Sequence, residues 1–150
     1  MTHPTDWSRL REIAEDRRDG TSARLAEAVA QRDTARQKLE MLVDYRSDYD
    51  SRLAHSATGG IDAEKLRSYR QFLVNLQRAI DQQTEVLVQA QQRVAQAQVL
   101  WRAEQRQVDS FRILDERRVA TETREASRRE QKLTDELATR APAPVAGGDD

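Results

Sequence analysis

From Leu25 onward, apolar residues recur at alternating steps of three and four. The series reads Leu25, Ala28, Arg32, Ala35, Leu39, Leu42, Arg46, Tyr49 and Leu53, interrupted only by its two arginines. A second series runs Leu66, Tyr69, Leu73, Leu76, Ile80, Gln83, Leu87, Ala90, Val94, Ala97, Trp101, Glu104, Val108 and Phe111, with Gln83 and Glu104 its polar members. Such steps place side chains on one stripe of an α-helix. Held over about six heptads, the second series passes the three or four heptads that specify a coiled coil. Between the two, Ser56-Ala-Thr-Gly-Gly60 offers glycines for a left-handed turn, so the first helix is expected to stop near His55. Upstream, Thr5 or Asp6 is the expected cap of a helix whose first turns hold Trp7, Leu10 and Ala14. The apolar spacing slips at Gly20, which predicts a kink or stutter there and not a domain boundary.

Asp62 is the expected N-cap of the second helix; Lys65, three residues on, leaves the capping box incomplete. Beyond Leu114 the periodicity weakens and charge dominates. Glu125 with Arg129 and Glu136 with Arg140 form i,i+4 pairs worth about 0.2–0.5 kcal/mol each, enough to support a solvated helix to about Arg140. The closing run Ala141-Pro-Ala-Pro-Val-Ala-Gly-Gly-Asp-Asp150 predicts a disordered tail.

A short loop between two long helices makes them antiparallel neighbours. The expected fold is therefore all-α: a two-helix antiparallel coiled coil, or helical hairpin, whose C-terminal helix overhangs. It occupies residues 1–140, with helices over about 6–55 and 62–140, a turn at 56–61 and a tail at 141–150. With the turn near Gly59, facing residues have numbers summing to about 118. Leu53 then meets Leu66, Ala28 meets Ala90, Leu10 meets Val108 and Trp7 meets Phe111. The second helix outruns the first by about 25–30 residues, roughly 40 Å at 1.5 Å per residue.

Composition narrows the function. Hydrophobic residues make up 37% of the 150 and charged residues 34%, a balance suited to a narrow buried stripe and not to a large compact core. Basic and acidic residues number 25 and 26 and are interleaved, which disfavours a nucleic-acid binder with its clustered basic excess. With no cysteine, disulfides and thiolate metal sites are excluded. No apolar run approaches a membrane span, and Met1 to Trp7 lacks a secretory pattern. A cytoplasmic, soluble protein is expected.

Candidate chemistry is sparse. His3 and His55 sit at chain and helix ends without a second ligand at i+4, so no metal site is expected. Carboxylates such as Glu12, Glu15 and Asp16 are what any mixed-charge helix surface supplies. A catalytic pair needs a water-excluding pocket, which two helices do not build. Gly59-Gly60 lacks the strand and lysine of a phosphate loop. No enzyme and no cofactor are expected. Arg32, Arg46, Gln83 and Glu104 stand in the seams, where long stems pack while their heads reach solvent; the sharper alternative is that they set register, Gln83 opposite the Ala35 region among them.

More informative are apolar residues in excess of the seams. Met41, Val43 and Tyr45 flank the first seam near the turn; Phe72, Val74 and Ala79 flank the second. Two helices cannot bury both flanks, so part of this set forms an exposed patch of the kind that marks a partner site. A different protein is the favoured occupant, with self-association as the alternative.

The segments Lys38-Leu-Glu-Met-Leu-Val-Asp-Tyr-Arg-Ser-Asp-Tyr49 and Tyr69-Arg-Gln-Phe-Leu-Val-Asn-Leu-Gln-Arg-Ala-Ile80 resemble the FliJ family of flagellar type III export proteins. Trp101-Arg-Ala-Glu-Gln-Arg106 and Arg129-Glu-Gln-Lys-Leu-Thr-Asp-Glu136 agree with it, and the likeness runs from about residue 7 to 140. The resemblance implies a coiled-coil stalk like those of rotary ATPases, inserted by its terminal end into a hexameric export ATPase (FliI-like). It further implies binding to an export gate protein (FlhA-like), handling of export substrate chaperones, and peripheral association with the inner-membrane export apparatus. The gate-binding patch it implies is Leu42, Tyr45, Tyr49, Phe72, Leu76, Ala79 and Gln83; Lys38 departs from the family's glutamine and is left out. The ATPase-binding end is placed at Trp7, Leu10, Phe111, Arg124, Arg129, Glu130 and Glu136. A self-oligomerising scaffold and the equivalent stalk of a virulence secretion system are the alternatives.

Overall fold

The computed structural model describes the backbone of residues 4–140 and the side chains of residues 7–140; His3, the Thr5 and Asp6 side chains and the expected tail at 141–150 lie outside it. Two helices, α1 (Pro4–Thr58) and α2 (Ala63–Arg140), pack against each other as an antiparallel hairpin, and among the described residues there is no strand. The helix α1 begins at Pro4, two residues before Asp6, so Thr5 and Asp6 lie within it. Proline suits a first helical position, where its missing N–H removes a donor that has no partner anyway.

At the other end α1 continues three residues past His55, to Thr58. Among the described residues only Gly60 takes a positive φ, 77°, so the helix persists until the chain needs the left-handed region. Thr58 Oγ1 donates to the His55 carbonyl at 2.7 Å, and the Gly59 amide donates to the Ser56 carbonyl at 3.2 Å, tightening the last turn. Asp62 holds the N-cap position of α2: its carbonyl accepts the Leu66 amide at 3.0 Å.

Contacts divide the chain into two compact units, Asp16–Gln105 and Met1–Glu15 with Arg106–Asp150. Within Asp16–Gln105, every expected seam residue of both helices is buried or half-buried. Its fully covered members are Ala28, Ala35, Leu76, Ile80, Ala90 and Val94. The Gln83 side-chain amide donates to the Ala35 carbonyl at 3.0 Å, and the Tyr49 and Tyr69 rings lie 6.1 Å apart. Both pairs obey the register built from the turn. Arg46 reaches across the seam to the Gln77 side-chain oxygen, while Arg32 turns to Asp33 on its own helix at 2.9 Å.

The expected slip at Gly20 is not a change of phase. Trp7, Arg11, Ala14, Arg18 and Thr21 are buried or half-buried at continuous steps of four and three, leading directly to Leu25. The heptad persists with polar members, and Gly20 lies exposed within unbroken helix. Leu10 is accordingly off the seam: it keeps 40% exposure, whereas Val108, its expected partner, is fully buried. Trp7 does face Phe111, with ring centroids 6.3 Å apart.

In the unit Met1–Glu15 with Arg106–Asp150, Arg11 bonds Glu15 at 3.0 Å and Asp115 at 3.5 Å, and Asp115 also accepts from Arg118 at 3.0 Å. Beyond Arg118 coverage ends: residues 119–140 are all exposed, a helical stretch of roughly 33 Å at 1.5 Å per residue. Glu125 and Arg129 pair there at 3.8 Å; among the described residues Glu136 and Arg140 form no such pair.

Candidate protein-binding site

Near the turn the aromatic residues of both helices collect into one cluster. Tyr45 and Tyr49 stand one turn apart on α1, and Tyr69 and Phe72 stand one turn apart on α2, so the antiparallel register brings all of them to one level. Phe72 stacks on Tyr49 at 4.3 Å and 28°, and meets Tyr45 edge-on at 6.0 Å and 69°. Tyr45 and Tyr49 are themselves 5.0 Å apart. Offset and edge-to-face pairs of this kind contribute about 0.5–1.5 kcal/mol each beyond the area they bury. Arg52 adds a guanidinium 5.7 Å from the Tyr49 ring centre. Hydrogen bonding with the Tyr45 hydroxyl, then its charge, pushes the Tyr49 phenol above its ordinary value; burial adds to the rise and Arg52 opposes it.

The outer side of the cluster is open. Met41 and Tyr45 keep 66% and 48% exposure, and with Lys38, Leu42 and Gln83 they line a groove of about 320 Å³. Of the residues that the sequence resemblance assigns to gate binding, Leu42, Tyr45 and Gln83 therefore share one groove, while Tyr49 and Phe72 back it through ring contacts. Tyr45 alone among the seven is exposed. Leu76 is core, with 6% exposure: it stands in the seam, where α1 covers it, and a docking partner has no access to it. Phe72, expected off the seam, is half-buried because Tyr49 lies against it. Ala79 is half-buried as well. Met41 belongs to the groove, and its place on the flank of the first seam was the signal for it.

At the terminal end the expected residues fall into two groups. Trp7 and Phe111 are half-buried against each other, and Leu10, Arg124, Arg129, Glu130 and Glu136 are exposed. Leu133 and Leu137, one turn apart on the uncovered part of α2, are exposed at 59% and 67% and were not singled out from the sequence.

Among the described residues no polar side chain is buried, no group of three or more potential metal ligands exists, and no helix is long and apolar enough to cross a membrane. His55 is exposed at the end of α1.

A family model described as Flagellar FliJ protein matches residues 6–144. Over 132 residues the chain is 32% identical to the Flagellar FliJ protein of Salmonella typhi and 30% identical to that of Escherichia coli (strain K12). Each match covers 88% of this chain and 90% of the relative. An antiparallel helical hairpin with the aromatic segments of α1 and α2 joined at its turn, matched over nearly its whole length, belongs to the flagellar FliJ protein family.

Proposed function

We propose that this chain is a non-enzymatic stalk and adaptor of the flagellar type III protein export apparatus. Its turn-proximal groove binds the export gate protein, its terminal end engages the hexameric export ATPase, and it assists the handling of export substrate chaperones. The protein works on the cytoplasmic side, associated with the inner-membrane export apparatus through these partners. The observation that carries the reading is the aromatic cluster at the turn: a tyrosine and a methionine left exposed beside stacked rings. Preordered aromatic anchors in a groove are what protein–protein hot spots consist of. Supporting the second contact, residues 119–140 form an uncovered helix with mixed charge, suited to a polar channel.

The test is binding of the purified chain to the gate and ATPase proteins of the same cell. Tyr45→Ala is expected to weaken gate binding roughly thirtyfold, the equivalent of about 2 kcal/mol, with ATPase stimulation retained. Unchanged gate affinity in a folded Tyr45→Ala protein overturns the gate assignment. A stable trimer or tetramer in light scattering, dissociated by the same substitution, establishes the scaffold reading instead.

A further inference from the structure

Three shallow grooves follow one another along one face of the unit Asp16–Gln105. The first is the turn-proximal groove between Lys38, Met41, Tyr45 and Gln83. The second, of about 330 Å³, runs from Lys38 and Gln83 to Gln31 and Val86, so it continues the first. The third, of about 210 Å³, is floored by Ala28, Ala97 and Leu100 and rimmed by Arg24 and Arg93.

On α2 this face carries Phe72, Ala79, Val86, Arg93 and Leu100, every seventh residue and hence one column of a coiled coil. Val86 and Leu100 are 49% and 54% exposed. The next column outward is Asn75, Gln82, Gln89 and Gln96, all uncharged amides. The facing column of α1 is Arg24, Gln31, Lys38 and Tyr45. An apolar column beside a two-helix seam is what a third helix covers in a three-stranded coil. From Phe72 to Leu100 the column spans roughly 42 Å at 1.5 Å per residue, long enough to seat a four-heptad helix.

Charge identifies the occupant. The charged residues lining the three grooves are Arg24, Lys38, Arg93 and the single acid Glu27. Among the described residues, Arg24, Lys38 and Arg93 are in no ion pair, in common with most basic residues of the chain, so the feature of the grooves is three cations lining them against one acid. Unpaired cations along an apolar stripe favour an acidic partner. The chain's own uncovered helix, residues 119–140, carries acidic and basic residues in equal number and lacks that complementarity. We propose that this groove docks one amphipathic helix of a different protein, apolar at heptad spacing and acidic on its flanks. The first groove is also the proposed gate site, so a helix seated along the whole column competes with the gate protein there, whereas the third groove shares no residue with that site.

The probe is a labelled synthetic helix of roughly 28 residues, with leucine at its a and d positions and glutamate at e and g, whose like charges oppose its own association. A counterpart carries lysine in place of glutamate. Fluorescence anisotropy against the full chain is expected to show saturable one-to-one binding of the glutamate helix, and at least about tenfold weaker binding of the lysine helix. Leu100→Glu and Arg93→Glu are each expected to weaken the glutamate helix by about tenfold or more with circular dichroism unchanged, because both side chains are exposed. Gate affinity is the control: Leu100→Glu, in the third groove only, is expected to leave it unaltered. Equal affinity for the two helices, no binding of either, or indifference to both substitutions overturns the proposal. So does a homodimer in light scattering that Leu100→Glu dissociates, since the column is then covered by a second copy.

Discussion

The side-chain amide of Gln83 donates across the seam to the main-chain oxygen of Ala35 at 3.0 Å. That oxygen sits in the middle of α1, so the bond ties one position of α2 to one level of α1. A net hydrogen bond is worth about 1 kcal/mol, whereas burying a leucine side chain is worth about 1.5–3 kcal/mol. Gln83→Leu is therefore expected to raise the melting temperature by a few degrees. It is also expected to relax specificity, as loss of a lone polar seam residue does in other coiled coils. Thermal denaturation with light scattering checks both; a lower melting temperature with unchanged mass shows that the bond outweighs the apolar gain.

The turn cluster separates binding from stability. Tyr45→Ala removes an exposed ring and is expected to cost about 1 kcal/mol or less. Leu76→Ala empties a buried seam position and is expected to cost about 2 kcal/mol or more. Phe72→Ala falls between them, because its stack on Tyr49 adds to its burial. Denaturant titration ranks the three, and a Tyr45 cost equal to that of Leu76 removes Tyr45 from the surface patch.

Ending the chain after Arg118 deletes residues 119–150, of which 119–140 are all exposed. The ion pairs of Arg11, Asp115 and Arg118 stay intact. The truncated protein is expected to melt within a few degrees of the full chain and to retain gate binding while losing ATPase stimulation. Ending it before Asp115 also removes Asp115 and Arg118, and is expected to loosen the first turns of α1 as well. Hydrogen exchange across residues 7–15 distinguishes the two truncations.

Alkaline titration reads the Tyr45–Tyr49 pair. The folded value of Tyr49 is raised, chiefly by hydrogen bonding with Tyr45. A raised phenol holds its proton more tightly folded than unfolded. Its contribution is thus fully present below the unfolded value of about 10 and is lost as pH rises through the folded value. Tyr45→Phe removes the leading cause and is expected to shift Tyr49 back toward its ordinary value. Ultraviolet absorbance of the tyrosinate tracks this; an unmoved Tyr49 assigns the shift to burial.

The hairpin, its register and its seam between Leu25 and Phe111 come from local rules: a heptad repeat selects one stripe of each helix, and a short glycine-containing turn sets which residues face each other. Tyr49 opposite Tyr69 and Gln83 opposite Ala35 were legible for that reason. The continuity of the heptad through Gly20 was not, because Arg11, Arg18 and Thr21 hold seam positions that an apolar pattern does not register. Their stems are covered only because a partner helix lies over them. Around the turn, the sequence by itself determined that there are more apolar side chains than two helices can bury. Which of them stay outside was decided by packing: α1 covers Leu76, the Tyr49 ring lies against Phe72, and Tyr45 and Met41 remain open to solvent. Burial on a helix flank depends on the size and rotamer of the residue facing it, and that neighbour is distant in the chain.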